Sequence, residues 1–168
     1  MPDLDERVFE NLVDGLSVRR ERPDDREFLE RLYASTREHE MRLLDWPAEA
    51  KNAFIRQQFE AQHDHYRQHY SDAHFWIVEV GETPVGRIYV QGRDDEIRLM
   101  DIALVPGRKG NGIGTALVRR VLDIAAHRQV AVRLHVEPDN RAVNLYHRLG
   151  FVKLEDRGVY QFMEWRGR

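Results

Sequence analysis

From Arg98 to Arg120 the chain reads RLMDIALVPGRKGNGIGTALVRR, an apolar strand, a glycine-dense turn and a helix in direct succession. Leu99 to Val105 is rich in Ile, Leu and Val, and it halts at Pro106-Gly107, a pair that breaks a sheet ladder and favours a turn. Gly110, Asn111, Gly112 and Gly114 follow, and from Ile113 apolar residues recur at Ala116, Leu117, Val118, Val121, Leu122, Ile124 and Ala125, the stripe of a helix. The helix therefore starts inside the glycines. A helix that begins there turns unpaired backbone N–H groups and the positive end of its dipole toward whatever lies in front. Glycines allow close approach, and Arg108 and Lys109 add charge at the rim, so the stretch predicts a cradle for a pyrophosphate.

Spacing narrows the ligand. A P-loop requires a lysine directly after its last glycine, where this chain has Ile113. A dinucleotide fingerprint reads G-x-G-x-x-G after a first strand, whereas Gly110, Gly112 and Gly114 give G-x-G-x-G late in the chain.

Lys109-Gly110-Asn111-Gly112-Ile113-Gly114 instead resembles the [Q/R]-x-x-G-x-[G/A] hallmark of the GNAT superfamily of acyl-CoA-dependent N-acetyltransferases, with Lys109 where Gln or Arg is usual. A second stretch, Val136 to Phe151, is similar to that family's N-x-x-A-x-x-L-Y-x-x-x-G-F signature, one residue shorter between Asn140 and Tyr146. The resemblance implies a mixed, mostly antiparallel α/β sheet with splayed central strands and about four flanking helices. It also implies acetyl-CoA as cosubstrate and no metal. Lys109, Gly110, Asn111, Gly112, Ile113, Gly114 and Thr115 would hold the diphosphate, and Asn140 the pantetheine or pyrophosphate arm. The backbone of Ala103 and Leu104 would pair with the pantetheine amides, and Tyr146 would serve as general acid. A homodimer through the terminal strands is a further expectation from the family.

Composition excludes other classes. With 168 residues, 42% hydrophobic and 33% charged, the chain suits one soluble domain. A net charge of −3 and no lysine-rich run argue against a nucleic-acid partner. No apolar run approaches a membrane span, and Asp3, Asp5, Glu6, Glu10 and Asp14 are foreign to a signal peptide, which predicts a cytoplasmic protein. The absence of cysteine removes any thiol that could carry an acyl intermediate, so transfer should be direct.

Residues 1–15 read as an N-terminal extension, a short helix or a frayed tail, and residues 16–168 as a single domain. Leu16 to Glu21 alternates as a strand, Pro23-Asp24-Asp25 opens a helix to about His39, and Met41 to Trp46 is a turn. A second helix spans Ala48 to about His69. Ala73 to Val80 and Pro84 to Gln91 form a hairpin that turns at Arg93-Asp94-Asp95 into the strand before the glycines. Val130 to Val136 is a strand, Asp139 to Leu149 a helix, and Phe151 to Leu154 with Val159 to Trp165 a terminal hairpin.

Acylating an amine requires a proton acceptor, a stabiliser for developing negative charge and a proton donor. The phenol of Tyr146, with an ordinary pKa near 10, matches an alkyl thiol as donor, although on spacing alone it also suits a core aromatic. His135, near the end of a strand, is the candidate base, with Glu96, Asp101 and Glu137 as rivals. His65 and His69 share a helical face, but no third ligand at fixed spacing accompanies them or His63 and His74, so no metal site is predicted. Glu38, Glu40, Asp45 and Glu49 beside Trp46 suit the wall of a pocket for a cationic amine, small-molecule or peptide. The alternative on the same residues is a module that binds acyl-CoA without transferring it.

Overall fold

Seven strands hydrogen-bond in one sheet, in the order β1-β2-β3-β4-β5-β7-β6. They are β1 (Leu16–Arg20), β2 (His74–Val80), β3 (Thr83–Gly92), β4 (Glu96–Leu104), β5 (Ala131–Val136), β6 (Val152–Arg157) and β7 (Tyr160–Trp165). Among the described residues four α-helices accompany them, α1 (Arg26–Arg42), α2 (Ala48–His69), α3 (Ile113–Arg128) and α4 (Ala142–Arg148). The computed structural model describes residues 4–167. Every pairing is antiparallel except β4 with β5, which requires the crossover that α3 supplies. This is the mixed, mostly antiparallel sheet with about four helices that the two motifs implied.

Strand alternation sorts the side chains into two cores. Ile88, Val90, Ile97, Leu99, Val132, Leu134 and Met163 point to one face, where Ile113, Leu117, Val121 and Ile124 of α3 bury their apolar stripe. On the other face Leu29 and Tyr33 of α1, with Ile55 and Phe59 of α2, cover Ile77. Leu4 and Phe9 near the start of the chain are buried in the first of these cores, with the Phe9 ring edge-on to Trp76 at 5.3 Å. A short 3₁₀ turn at Glu6–Phe9, capped by Asp5, sets that approach.

The parallel pair is short. β4 and β5 share rungs only at Glu96–Ala131, Ile97–Val132 and Arg98–Arg133, and beyond them the strands part. On the other flank of β4 the ladder to β3 slips by one residue, since Tyr89 faces Asp101 while Val90 faces Leu99, leaving Met100 as a bulge. A bulge bends its strand and increases local twist, which carries the end of β4 away from β5. The opposite edge stays tight because Gly86 of β3 has no side chain: a Cβ there would meet the Ala103 carbonyl oxygen at 2.3 Å.

Boundaries differ from the pattern where charge is involved. β4 begins at Glu96 rather than Leu99, because Glu96 and Arg98 are buried and neutralise each other across two hydrogen bonds of 2.9 and 3.2 Å. α4 begins at Ala142 rather than Asp139, because the Asn140 side chain takes the Ala142 N–H at 2.9 Å and makes a turn of the preceding residues. No helix among the described residues is long and apolar enough to cross a membrane.

Candidate acyl-transfer cleft

Gly110 and Gly112 adopt φ of +80° and +81°, and Gly112 is the residue from which α3 springs. A Cβ at either would meet nothing within 4 Å, so the glycines are required by backbone conformation and not by space. These two left-handed turns aim the loop amides outward. Among the described residues no hydrogen bond engages the N–H groups from Gly110 through Thr115, whereas Ala116 already donates to the Gly112 carbonyl at 3.0 Å. Consecutive free amides at the mouth of a sixteen-residue helix form an anion cradle, with Arg108 and Lys109 on its rim. Lys109, Gly110, Asn111, Gly112, Ile113, Gly114 and Thr115 thus lie in one continuous run, as the motif requires. Gly114 differs from the other two, since its Cβ would make only ordinary contact with Leu104 at 3.8 Å.

The mouth of α3 adjoins the end of β4, where a Cβ on Gly114 would touch the Leu104 side chain. Val105 donates its N–H to the Val85 carbonyl at 2.8 Å, so in an antiparallel ladder Ala103 and Val105 turn their main chain toward β3, and Leu104 turns toward the gap between β4 and β5. Of the two residues named from the motif, Leu104 therefore exposes backbone groups to the gap, and Ala103 spends them on β3. Asn140, in the turn before α4, has its side-chain oxygen committed to the Ala142 N–H, and its amide N–H₂ is without a partner among the described residues. These features fit an acyl-CoA: amides for a diphosphate, and an unpaired strand edge for the amides of the pantetheine arm.

Tyr146 on α4 is buried beside Phe151, ring centroids 5.4 Å apart, yet its hydroxyl has no hydrogen-bond partner among the described residues. Burial raises its pKa well above the ordinary phenol value, and the Asp101 carboxylate raises it further. Asp101 belongs to the α2 face of the sheet and Tyr146 to the α3 face. Their coupling runs through the gap, where no strand intervenes.

Asp101 is itself part of a buried polar group that sequence reasoning had named only in part. Arg87 on β3 donates from Nε to Asp101 at 2.6 Å and from Nη2 to Gln62 of α2 at 2.9 Å, with its guanidinium 4.8 Å from the Tyr89 ring. Tyr66 of α2 stands edge-on to Tyr89 at 5.8 Å, and burial, then Asp101, pushes its pKa upward. The signal was present in β3, where Arg87, Tyr89 and Gln91 alternate with Ile88 and Val90: an interior strand with a polar second face must bury that face against partners.

His135 lies on the parted section of β5, on the same face as Asp101. Its ring is 4.8 Å from Phe162, and Arg157 Nη1 reaches its Nε2 at 3.3 Å. Burial, followed by the charges of Arg98 and Arg157, lowers its pKa, so the imidazole is neutral near pH 7. Of its rivals, Glu96 is sealed between Arg98 and Arg133, and Glu137 pairs with Arg37 of α1 at 3.5 Å. The acidic wall is partly spent: Glu38 faces Arg42 at 3.4 Å and Glu40 faces Arg37 at 3.1 Å, while Trp46 stands edge-on to Phe54. His65 and His69 lie 4.5 Å apart, and among the described residues no group of three or more His, Cys, Asp or Glu could hold a metal ion.

Known proteins carry the same plan. Mycothiol acetyltransferase of Beutenbergia cavernae is 37% identical over 90 residues, 52% of this chain and 26% of that protein, so the chain spans about a quarter of its relative's length. Among solved structures, the Paia N-acetyltransferase of Thermoplasma acidophilum, in complex with coenzyme A, superposes with a TM-score of 0.68 at 19% identity, over 90% of this chain and 99% of that one. Arabidopsis thaliana Naa50, in complex with the bisubstrate analogue CoA-Ac-MVNAL, gives 0.59 at 15% identity, over 91% and 99%. A family model described as the acetyltransferase (GNAT) family matches residues 21–151, from the end of β1 to the turn after α4. With that match across most of its length, on a sheet that parts beside an amide-lined helix mouth, the chain belongs to the acetyltransferase (GNAT) family.

Proposed function

We infer that the protein is an N-acetyltransferase that moves an acetyl group from acetyl-CoA directly to a primary amine. What supports this reading is the run of six amides, Gly110 to Thr115, that no hydrogen bond engages among the described residues, ahead of a helix that adjoins the end of β4 where β5 no longer pairs with it. Acetyl-CoA, when bound, supplies the acetyl group as a thioester, whose C–S bond breaks as the new N–C bond forms.

The residues of this chain divide the remaining work. The loop amides and Lys109 hold negative charge, and the amide of Asn140 and the main chain of Leu104 orient the arm that enters the gap. Neutral His135 accepts a proton from the incoming ammonium at Nε2, from the α2 face. Tyr146 keeps its proton in the resting site because burial and Asp101 oppose ionisation; it presents that proton to the leaving thiolate and takes back the second proton that the nitrogen sheds on acylation. A thiolate arising in the same dry gap is penalised by the same surroundings, so donor and acceptor stay matched. Asp101, gripped by Arg87, sets the field at Tyr146 rather than shuttling protons.

Isothermal titration with coenzyme A, followed by thiol-release assays on a panel of amines, tests the reading. Binding with amine-dependent release, lost in Tyr146→Phe, is the expected result. Binding with no release from any amine would favour a module that holds acyl-CoA without turnover, and no heat at millimolar coenzyme would end the assignment.

A further inference from the structure

Beside His135, the guanidinium of Arg157 is ion-paired with Glu155 through Nε and keeps donors open at its far end. Arg157, at the end of β6, lies flat on the Phe162 ring with its guanidinium carbon 3.8 Å from the centroid. Its Nε donates to Glu155, and one Nη1 N–H goes to His135 Nε2 at 3.3 Å. Among the described residues Nη2 has no partner, so three of the five N–H donors stay open, on a side chain already held in place. Because a guanidinium can only donate, His135 must carry its hydrogen on Nδ1 and offer Nε2 as acceptor, the nitrogen a base would use. Arg157 therefore covers the lone pair that the reaction needs. Arg98 adds a second guanidinium over the same Phe162 ring, 5.4 Å from its centroid, although Glu96 neutralises it.

We propose that Arg157 reads a carboxylate on the acceptor, so that the amines this enzyme acetylates are free amino acids rather than peptide N-termini or simple amines. This deepens the acyl-transfer reading above and rests on it. An amine at hydrogen-bond distance from His135 Nε2 lies within about 6 Å of Arg157 Nη1, the reach of an α- or β-amino acid. A carboxylate there accepts two parallel N–H bonds from the guanidinium fork and draws it off the imidazole. Substrate binding thus uncovers the base. An amine without the carboxylate leaves Arg157 on Nε2, and the base stays covered. The carboxylate also offsets the charge of Arg157 and Arg98, which together with burial oppose protonation of His135, so its appetite for a proton rises only when an acceptor is present.

The test compares thiol release with matched pairs, glycine against glycinamide and β-alanine against β-alaninamide, under saturating acetyl-CoA. The amides carry the more reactive free amine, so chemistry alone would favour them. The expected result is a kcat/KM about tenfold or more higher for the acids, carried by kcat as well as KM because the amides leave the base covered; the acid-to-amide ratio falls to parity in Arg157→Gln and is partly restored in Arg157→Lys. Equal kcat/KM for acid and amide in the parent enzyme overturns the proposal and leaves the acyl-transfer reading standing. Absence of release with every amine sinks both.

Discussion

Arg98 and Arg133 stand opposite each other on the last shared rung of β4 and β5, and both reach the single carboxylate of Glu96, at 2.9 and 3.2 Å. Two like charges side by side at the vertex of a parting sheet repel, and Glu96 is what holds them. Glu96→Gln should therefore cost about 3 kcal/mol, the range for breaking a buried ion pair from one side, read as a lower denaturant midpoint at unchanged slope. The acid response has the same origin. Burial alone would raise the pKa of Glu96, but hydrogen bonds from Arg98 and Arg133 outweigh it and hold it below its usual 4.5. The stabilisation is present above pH 4.5 and is lost as pH falls through the lowered value, a slope that Glu96→Gln should reduce.

Gly112→Ala and Gly114→Ala separate conformation from space. At Gly112, with φ of +81°, an alanine carries a penalty of about 1–2 kcal/mol, so calorimetry should show acetyl-CoA affinity falling by about tenfold. At Gly114 the added methyl meets only Leu104 at ordinary distance, and the affinity should stay within about twofold.

Gly86→Ala acts through the opposite edge of β4. Its methyl would press on the Ala103 carbonyl oxygen and on Leu104, whose backbone lines the gap. A loss of about 1–3 kcal/mol in stability and a raised KM for acetyl-CoA are expected together, the second because the displaced strand is the one that orients the arm. Thermal melts and steady-state kinetics on one preparation check both.

Tyr146→Phe removes a hydroxyl that bonds to no protein group among the described residues and keeps the ring against Phe151. Stability should change little. The kcat should fall by about 10²-fold or more, with the coenzyme A dissociation constant unchanged, as for loss of a proton donor.

The acid limb of kcat/KM should report His135. Its pKa is lowered, chiefly by burial and then by Arg98 and Arg157, so the neutral form persists below pH 6.5 and the rate should hold down to that region before declining. His135→Gln should lower the rate and erase this limb.

Much of this was legible before any coordinates. The positions of α2 and α3 followed from Pro47 and from the glycines ahead of Ile113, and the order of elements from alternation and turns. The gap itself was not written in any local pattern. It depends on β4 and β5 sharing only three rungs and on Met100 as a bulge, both products of register between distant segments. Arg87 was missed because a charged residue on a strand reads as solvent-facing, and only the seven-strand order shows that β3 lies inside the sheet, with α2 above it. Arg157 likewise became informative once β7, lying between β5 and β6, brought its own Phe162 and the His135 of β5 to its side.

Because the grip on the diphosphate depends on two mirror-image backbone turns, at Gly110 and Gly112, the identities of the side chains between and beside them are free to drift. Substitutions at Asn111 and Thr115, which leave their main-chain amides in place, should then be milder than alanine at Gly110 or Gly112.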